Sequence, residues 1–337
     1  MAPLTQASLV WISRPAAYRS PPMLHMRIVV PPARRREVLG ALEGTVSVFN
    51  IVHLPDAARR PDGDLILCDL PREAVSLVVS DLDELGVPDD GSIAIEKIDT
   101  EISRTGEIAE RAAPGDPSNA VVWEEVEELT SEQTDLSATF LLFMTLAMVI
   151  ASIGIYLNTP ILIIGAMVIG PEFGPISAAC VAAVQRRSLL ALRSLLALVV
   201  GFPVGIAATY VVSLIFKWTD LTPDEFSSVS HSLADVISNA DFFSFLVAFC
   251  AGIAGMLSLT TAKSGALTGV LISVTTIPSA ANIAVAGAYT DWSSLRGSVE
   301  QLAINIGAIL VAGILTLYLQ RRVFARRRLE HLRTLRS

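Results

Sequence analysis

Two long apolar stretches of this chain are each interrupted near the middle by residues that end helices. Residues 160–184 are apolar except around Gly170-Pro171-Glu172-Phe173-Gly174-Pro175, and residues 264–288 carry Thr275-Thr276-Ile277-Pro278-Ser279-Ala280-Ala281-Asn282 at the matching place. Within a bilayer, backbone that leaves the helix exposes N–H and C=O groups that lipid cannot satisfy. It persists only against protein or a polar cavity. A pair of interrupted spans in corresponding positions of two halves is the sequence pointer to a transporter-type binding site.

Six apolar windows fit this layout: residues 136–157, 160–184, 194–216, 242–261, 264–288 and 299–319. Each is long enough to cross a hydrocarbon core about 30 Å thick. Ser177-Ala178-Ala179 recurs 102 positions later as Ser279-Ala280-Ala281. Three crossings per half would turn the second half upside down, giving a 3+3 inverted repeat with broken helices. Small residues at four-residue spacing, Ala147/Ala151, Ala251/Gly255 and Ala308/Ala312, suit close helix contact. Gly201, Pro203 and Gly205 are expected to bend the third span.

The charge sets the expected orientation. Arg186, Arg187 and Arg193 follow the second window, Lys263 follows the fourth, and an arginine-rich tail with Arg321, Arg322, Arg326, Arg327, Arg328, Arg333 and Arg336 follows the sixth. The 217–241 connection instead carries Asp220, Asp224, Glu225 and Asp235 against Lys217. The positive-inside rule then places both termini in the cytoplasm of an inner-membrane, multi-pass protein. The tail follows an apolar span directly, so it reads as a juxtamembrane anchor on lipid, and no nucleic-acid partner is expected.

Residues 1–135 are soluble in character, with 24 acidic against 12 basic residues. Residues 1–22 read as a disordered extension without a cleavable signal, and Met23 or Met26 could be the true start. Residues 23–98 read as strand 24–30, helix 33–42, strand 46–54, a turn over 56–63, strand 64–69, a helix from Pro71 to Leu85 and strand 92–98. That order predicts an α+β ferredoxin-like domain. Residues 99–135 read as an acidic linker broken at Ala113-Pro114-Gly115-Asp116-Pro117. Its amphipathic helix, with Val122, Val126 and Leu129 on one side, is expected to pack on protein near the first span. Residues 136–320 form the six-span domain and 321–337 the basic cytoplasmic tail.

The chemistry concentrates at the breaks. Glu172 is the only acid between residues 136 and 216. An ionisable group at mid-bilayer is costly unless paired, protonated or wet, and is a functional candidate by default. Pro171, Pro175 and Pro278 remove backbone donors, while Gly170 and Gly174 permit unusual dihedrals. The ends of the half-helices near Ile169 and Ile176 would offer carbonyls to a cation and N–H groups to an anion. Ser177, Thr275, Thr276, Ser279 and Asn282 add neutral ligands. Glu172 could instead simply cap the second half-helix.

Cys68, Cys180 and Cys250 are isolated and the four histidines, His25, His53, His231 and His331, are scattered, so neither a metal site nor a cofactor is expected. No nucleophile–base pair or second mid-membrane acid argues for an enzyme. The expected function is a membrane transporter or channel for a small solute or ion. The alternative is a membrane-anchored signalling or scaffold protein acting through residues 23–98. Pairing through the sheet of that domain would make a homo-oligomer.

The run Ile164-Gly165-Ala166-Met167-Val168-Ile169-Gly170-Pro171, with Gly174-Pro175-Ile176, resembles the signature of a bacterial family of hydrophobic membrane proteins, domain of unknown function 389. The resemblance extends over residues 24–320. It implies a membrane location and this domain order, and no particular substrate.

Overall fold

A computed structural model describes residues 23–98, 101, 103–113, 121–132, 134–221, 241–261 and 266–335. Residues 1–22, the 114–117 part of the linker break, Asp224, Glu225, Asp235, Lys263, Arg336 and the side chain of Thr275 lie outside the described residues, as do the side chains of Arg327 and Arg333. The chain divides into two compact units, Met1–Ala120 and Val121–Ser337.

In the first unit, β1 (Met23–Val30) buries Leu24, Met26, Ile28 and Val30 and exposes Arg27, the period-two alternation of a strand with one face on a core. Helix α1 (Arg35–Gly44) adds Val38 and Leu42 to that core. Strands β2 (Phe49–Arg59) and β3 (Asp62–Pro71) form a hairpin, with Ile66, Cys68 and Leu70 of β3 buried. Helix α2 (Arg72–Glu84) adds Val75, Val78 and Leu82, a short α3 (Val87–Asp90) follows, and β4 (Ser92–Ile98) completes the sheet. The strand order is β2-β3-β1-β4, antiparallel throughout.

Residues 56–63, expected as a turn, are mostly strand. β2 continues to Arg59, and register shifts between Phe49 and Val52 and between Leu54 and Ala58 absorb the irregularity. Asn50 and Asp56, at φ 50° and 51°, fall within those shifts, as suits residues that tolerate the left-handed region. Asp64, fully buried, ties the hairpin to α1. Its carboxylate accepts from Arg35 Nη2 at 2.7 Å, from the Asp56 N–H at 3.0 Å and sits 2.6 Å from His53 Nε2.

The 99–135 segment holds more structure than a linker. Helix α4 (Arg104–Ala112) is capped by Ser103, whose side chain accepts from Gly106 N, and it packs on β3 and β2. Helix α5 (Trp123–Glu132), in the second unit, buries Trp123, Val126 and Thr130, as well as Val122 just before it, while Leu129 is exposed. The buried stripe therefore runs 122–126–130. It packs on the second apolar stretch, where Trp123 and Val126 meet Ala178, Val181 and Ala182. Expected near the first span, α5 lies instead against the second, and its Glu127 pairs with Arg187.

The apolar windows become α6 (Ala138–Tyr156), α7 (Pro160–Ile169), α8 (Phe173–Gln185), α9 (Ser188–Trp218), α10 (Phe242–Thr260), α11 (Ala266–Ala288) and α12 (Trp292–Leu335). Among the described residues, α6, α9, α10 and α12 are long and apolar enough to cross a membrane. The pair α7–α8, bent by 53°, makes a fifth if it is one span. The chain is thus a helical multi-pass membrane protein with an amino-terminal sheet-and-helix region.

Interior packing follows the small residues. A Cβ on Gly252 of α10 would lie 2.7 Å from the Ile309 carbonyl oxygen and 2.9 Å from Ala312 of α12, so these helices touch through backbone. Gly201 and Gly205, within an unbroken α9, accept the Phe140 ring and the Met148 thioether of α6. Their use is to admit neighbours.

Candidate functional site

The break between α7 and α8 is three residues long. Helix α7 ends at Ile169 and α8 begins at Phe173, and Pro171 lies between them with Pro175 in the first turn of α8. At 1.5 Å per residue, the break stands about 15 Å along one half-helix and about 20 Å from the far end of the other. That is close to half the depth of a bilayer core.

The expected second break does not form. Helix α11 runs without interruption from Ala266 to Ala288, with Pro278 inside it. A lone proline removes one donor and bends a helix, and flanking helices can satisfy the carbonyl it frees. At the first site two prolines remove donors four residues apart, beside Gly170. Nor does glycine act there through unusual dihedrals: Gly170 has φ −58°, and Gly174 lies within α8. Gly170 is required for space. A side chain on it would run into the Glu172 carboxylate and come within 2.9 Å of Ile277 Cγ1.

Glu172 is fully buried at the N-cap position of α8, yet its side chain makes no capping hydrogen bond. It reaches across to α11, where the Thr276 hydroxyl donates to Oε1 at 2.8 Å. Thr276 is also fully buried. The amino-terminal end of α8 favours negative charge here, and the carboxyl-terminal end of α7 opposes it. A carboxyl group placed between them, with a hydroxyl from a second helix on one of its oxygens, has the chemistry to exchange a proton or to ligate a small cation.

The other expected residues are distributed around this pair. The Ser177 hydroxyl turns back to the Gly174 carbonyl at 2.8 Å and is committed to its own helix. Ser279 is buried one turn beyond Thr276. Asn282 stands six residues from Thr276, about 9 Å along the axis. It donates to Ser298 Oγ of α12 at 2.8 Å, so it belongs to a second polar layer.

That second layer was not legible from the breaks. Ser294, Ser298, Gln301 and Asn305 of α12 are all buried, and their spacing of 4, 3 and 4 aligns them on one face. A polar stripe at helical spacing that leads into the sixth apolar window was the signal available. Towards one end of the bundle, Lys217 of α9 donates to the last carbonyl of α11, at Ala288, at 3.0 Å. Its Nζ also stands 5.0 Å from the centre of the Tyr289 ring, which lies beside Tyr156. Among the described residues no three of His, Cys, Asp and Glu are grouped to hold a metal.

Comparison with known proteins fits the place where this geometry lies. Residues 167–311 match the family model described as domain of unknown function (DUF389). The matched stretch starts three residues before the break and takes in Glu172, Thr276, Asn282, Ser298 and Asn305. It is narrower than the 24–320 expected from the signature and leaves the amino-terminal unit outside. An uncharacterised protein of Methanocaldococcus jannaschii is 26% identical over 196 residues, 57% of this chain and 58% of that protein. The chain thus spans less than two thirds of this curated relative. No solved structure matches.

Proposed function

We propose that the protein is a membrane transporter or channel for a small solute or ion, and that the Glu172–Thr276 pair is its mid-membrane coupling site. The observation that carries this reading is a fully buried carboxyl group at a helix break, joined to a hydroxyl on a different helix at 2.8 Å. A carboxylate placed only to end a helix would have turned back to the α8 amides. The polar layer of Asn282 and Ser298 extends the hydrophilic interior along α11. No catalytic step is proposed.

Six crossings, with α11 as one of them, are part of the proposal. Tyr156, Lys217 and Tyr289 gather at one end of the bundle, whereas Gln320 meets Thr260, and Arg321 meets Val184, at the other. Such ends fit a chain that passes back and forth six times, with both termini cytoplasmic in an inner membrane. An inverted repeat is supported at one point: Thr276 corresponds to Gly174 at the 102-residue offset, so Glu172 and Thr276 meet close to equivalent positions, as residues near a two-fold axis would. The βαββαβ order supports a ferredoxin-like reading of the first unit.

The test is the melting temperature of the purified protein against a panel of ions, amino acids and small organic anions, with Glu172→Gln in parallel. A ligand that binds the folded state raises its melting temperature. A shift in wild type that the variant loses is the expected result. A shift that persists in Glu172→Gln would remove the carboxyl group from the site and favour the amino-terminal unit as the working part.

A further inference from the structure

Helix α8 ends in a cavity of about 520 Å³ that it shares with α12. Arg186, Arg321 and Arg322 line it, together with an apolar wall that includes Val184 and Ile314, and with Tyr318. We propose that this cavity binds the phosphate of an acidic phospholipid headgroup. The inference is independent of the transport reading, since it uses none of the residues around Glu172.

Arginines beyond an apolar span commonly serve only to orient it. Several features here go further. The three arginines come to one concavity from two elements, the end of α8 and α12. Two of the side chains are held by the protein, since Arg321 donates to the Val184 carbonyl and Arg322 lies 4.7 Å from the centre of the Tyr318 ring; Arg186 is brought to the cavity by its backbone, as the left-handed C-cap of α8 at φ 59°. The neighbouring Arg187 is neutralised by Glu127. Among the described residues, no carboxylate pairs with Arg186, Arg321 or Arg322. Guanidiniums without a carboxylate partner suit a phosphate, which arginine recognises through paired N–H groups.

The choice of lipid over a soluble phosphate rests on position. The cavity lies where the apolar run of α12 gives way to Arg321 and Arg322, a change of polarity that matches the boundary between acyl chains and headgroups. Its Val184 and Ile314 wall would face the first part of an acyl chain. Basic pockets between spans at this level favour anionic headgroups.

The experiment is native mass spectrometry of the full chain titrated with phosphatidylglycerol or phosphatidylcholine, and separately with glycerol 3-phosphate and inorganic phosphate. Wild type should retain phosphatidylglycerol at a saturable stoichiometry and in preference to phosphatidylcholine. R186Q/R322Q should weaken that retention roughly tenfold or more. R326Q removes an exposed charge of the same tail outside the cavity and should leave retention unchanged. Melting temperatures in phosphatidylcholine check that each variant is folded, and if the double variant is not, R322Q alone is compared with R326Q. Equal losses in R326Q and the cavity variants would mean a diffuse charge effect and overturn the site. Retention of phosphatidylcholine equal to that of phosphatidylglycerol, or binding of glycerol 3-phosphate or inorganic phosphate as tight as that of the lipid, would overturn the phospholipid assignment.

Discussion

At the scale of single residues, the structure turns on what Thr276 does for Glu172. Its hydroxyl donates to a fully buried carboxyl group, and Thr276 is itself fully buried. Thr276→Val keeps the shape and removes the donor. Leaving a buried charged or polar acceptor without its bond costs about 1–3 kcal/mol. The melting temperature should therefore fall in Thr276→Val and recover in Thr276→Ser, which restores the hydroxyl. Equal stability of the valine and serine variants would mean that the contact carries no weight. Glu172 itself could be found in the sequence, because a lone acid in a long apolar run is conspicuous. Its partner could not be singled out, since Thr275, Thr276 and Ser279 look equivalent until the helical phase of α11 is fixed. Continuity through Pro278 fixes that phase and turns Thr276 toward α8.

At the scale of elements, the sequence was most legible where periodicity was strict. β1, α2 and β4 lie within a residue or two of their expected positions, because alternation and helical spacing are unbroken there. It misled where one proline had to be weighed: Pro278 was read as a break, yet the span around it stays helical. Helix α4 escaped notice because it has only Ile108 and Ala109 as apolar central residues, and its start depends on the Ser103 cap. The β2–β3 hairpin illustrates a different limit. Its long strands depend on Asp64, a carboxylate that joins β3 to α1 and to the bulge at Asp56. The Arg35 guanidinium chiefly, with the Asp56 amide and His53, holds the Asp64 carboxyl well below the usual carboxylate range despite its burial. A depressed pKa in the folded state adds stability that is fully present above the unfolded value, about 4, and is lost as pH falls through it towards the folded one. Asp64→Asn should therefore destabilise the protein by about 1–3 kcal/mol near neutrality. The gap in melting temperature between variant and wild type should narrow below about pH 4. A gap that does not change with pH would show that the Asp64 charge contributes nothing and that only its hydrogen bonds count.

At the scale of the whole molecule, what could be read in advance was the division into a sheet-bearing region and a set of apolar helices, together with the break at Gly170–Pro171. The number of crossings is harder, because α11 is rich in Ala, Ser and Thr and its apolar character is shared with a buried helix of any bundle. The ends of the bundle bear on that number. Lys217 closes the last carbonyl of α11 at one end, while Arg321 reaches the end of α8 at the other. If α11 crosses, the turn before Ser188 lies on the same side as both termini and Thr219 lies on the opposite side. If it does not, the count is odd and the termini part company. Both positions are exposed and flank α9, so each accepts a cysteine without loss of packing. Cys68 and Cys180 are buried, and Cys250 sits within the apolar length of α10, so the native thiols give a low background for a polar reagent. With a membrane-impermeant maleimide on intact cells, Thr219→Cys should label from outside, and Ser188→Cys only after permeabilisation. An affinity tag at either terminus should be protected in the same way as Ser188→Cys. The reverse pattern at 188 and 219 would invert the orientation, and tags exposed on opposite sides would take α11 out of the set of spans and the inverted repeat with it.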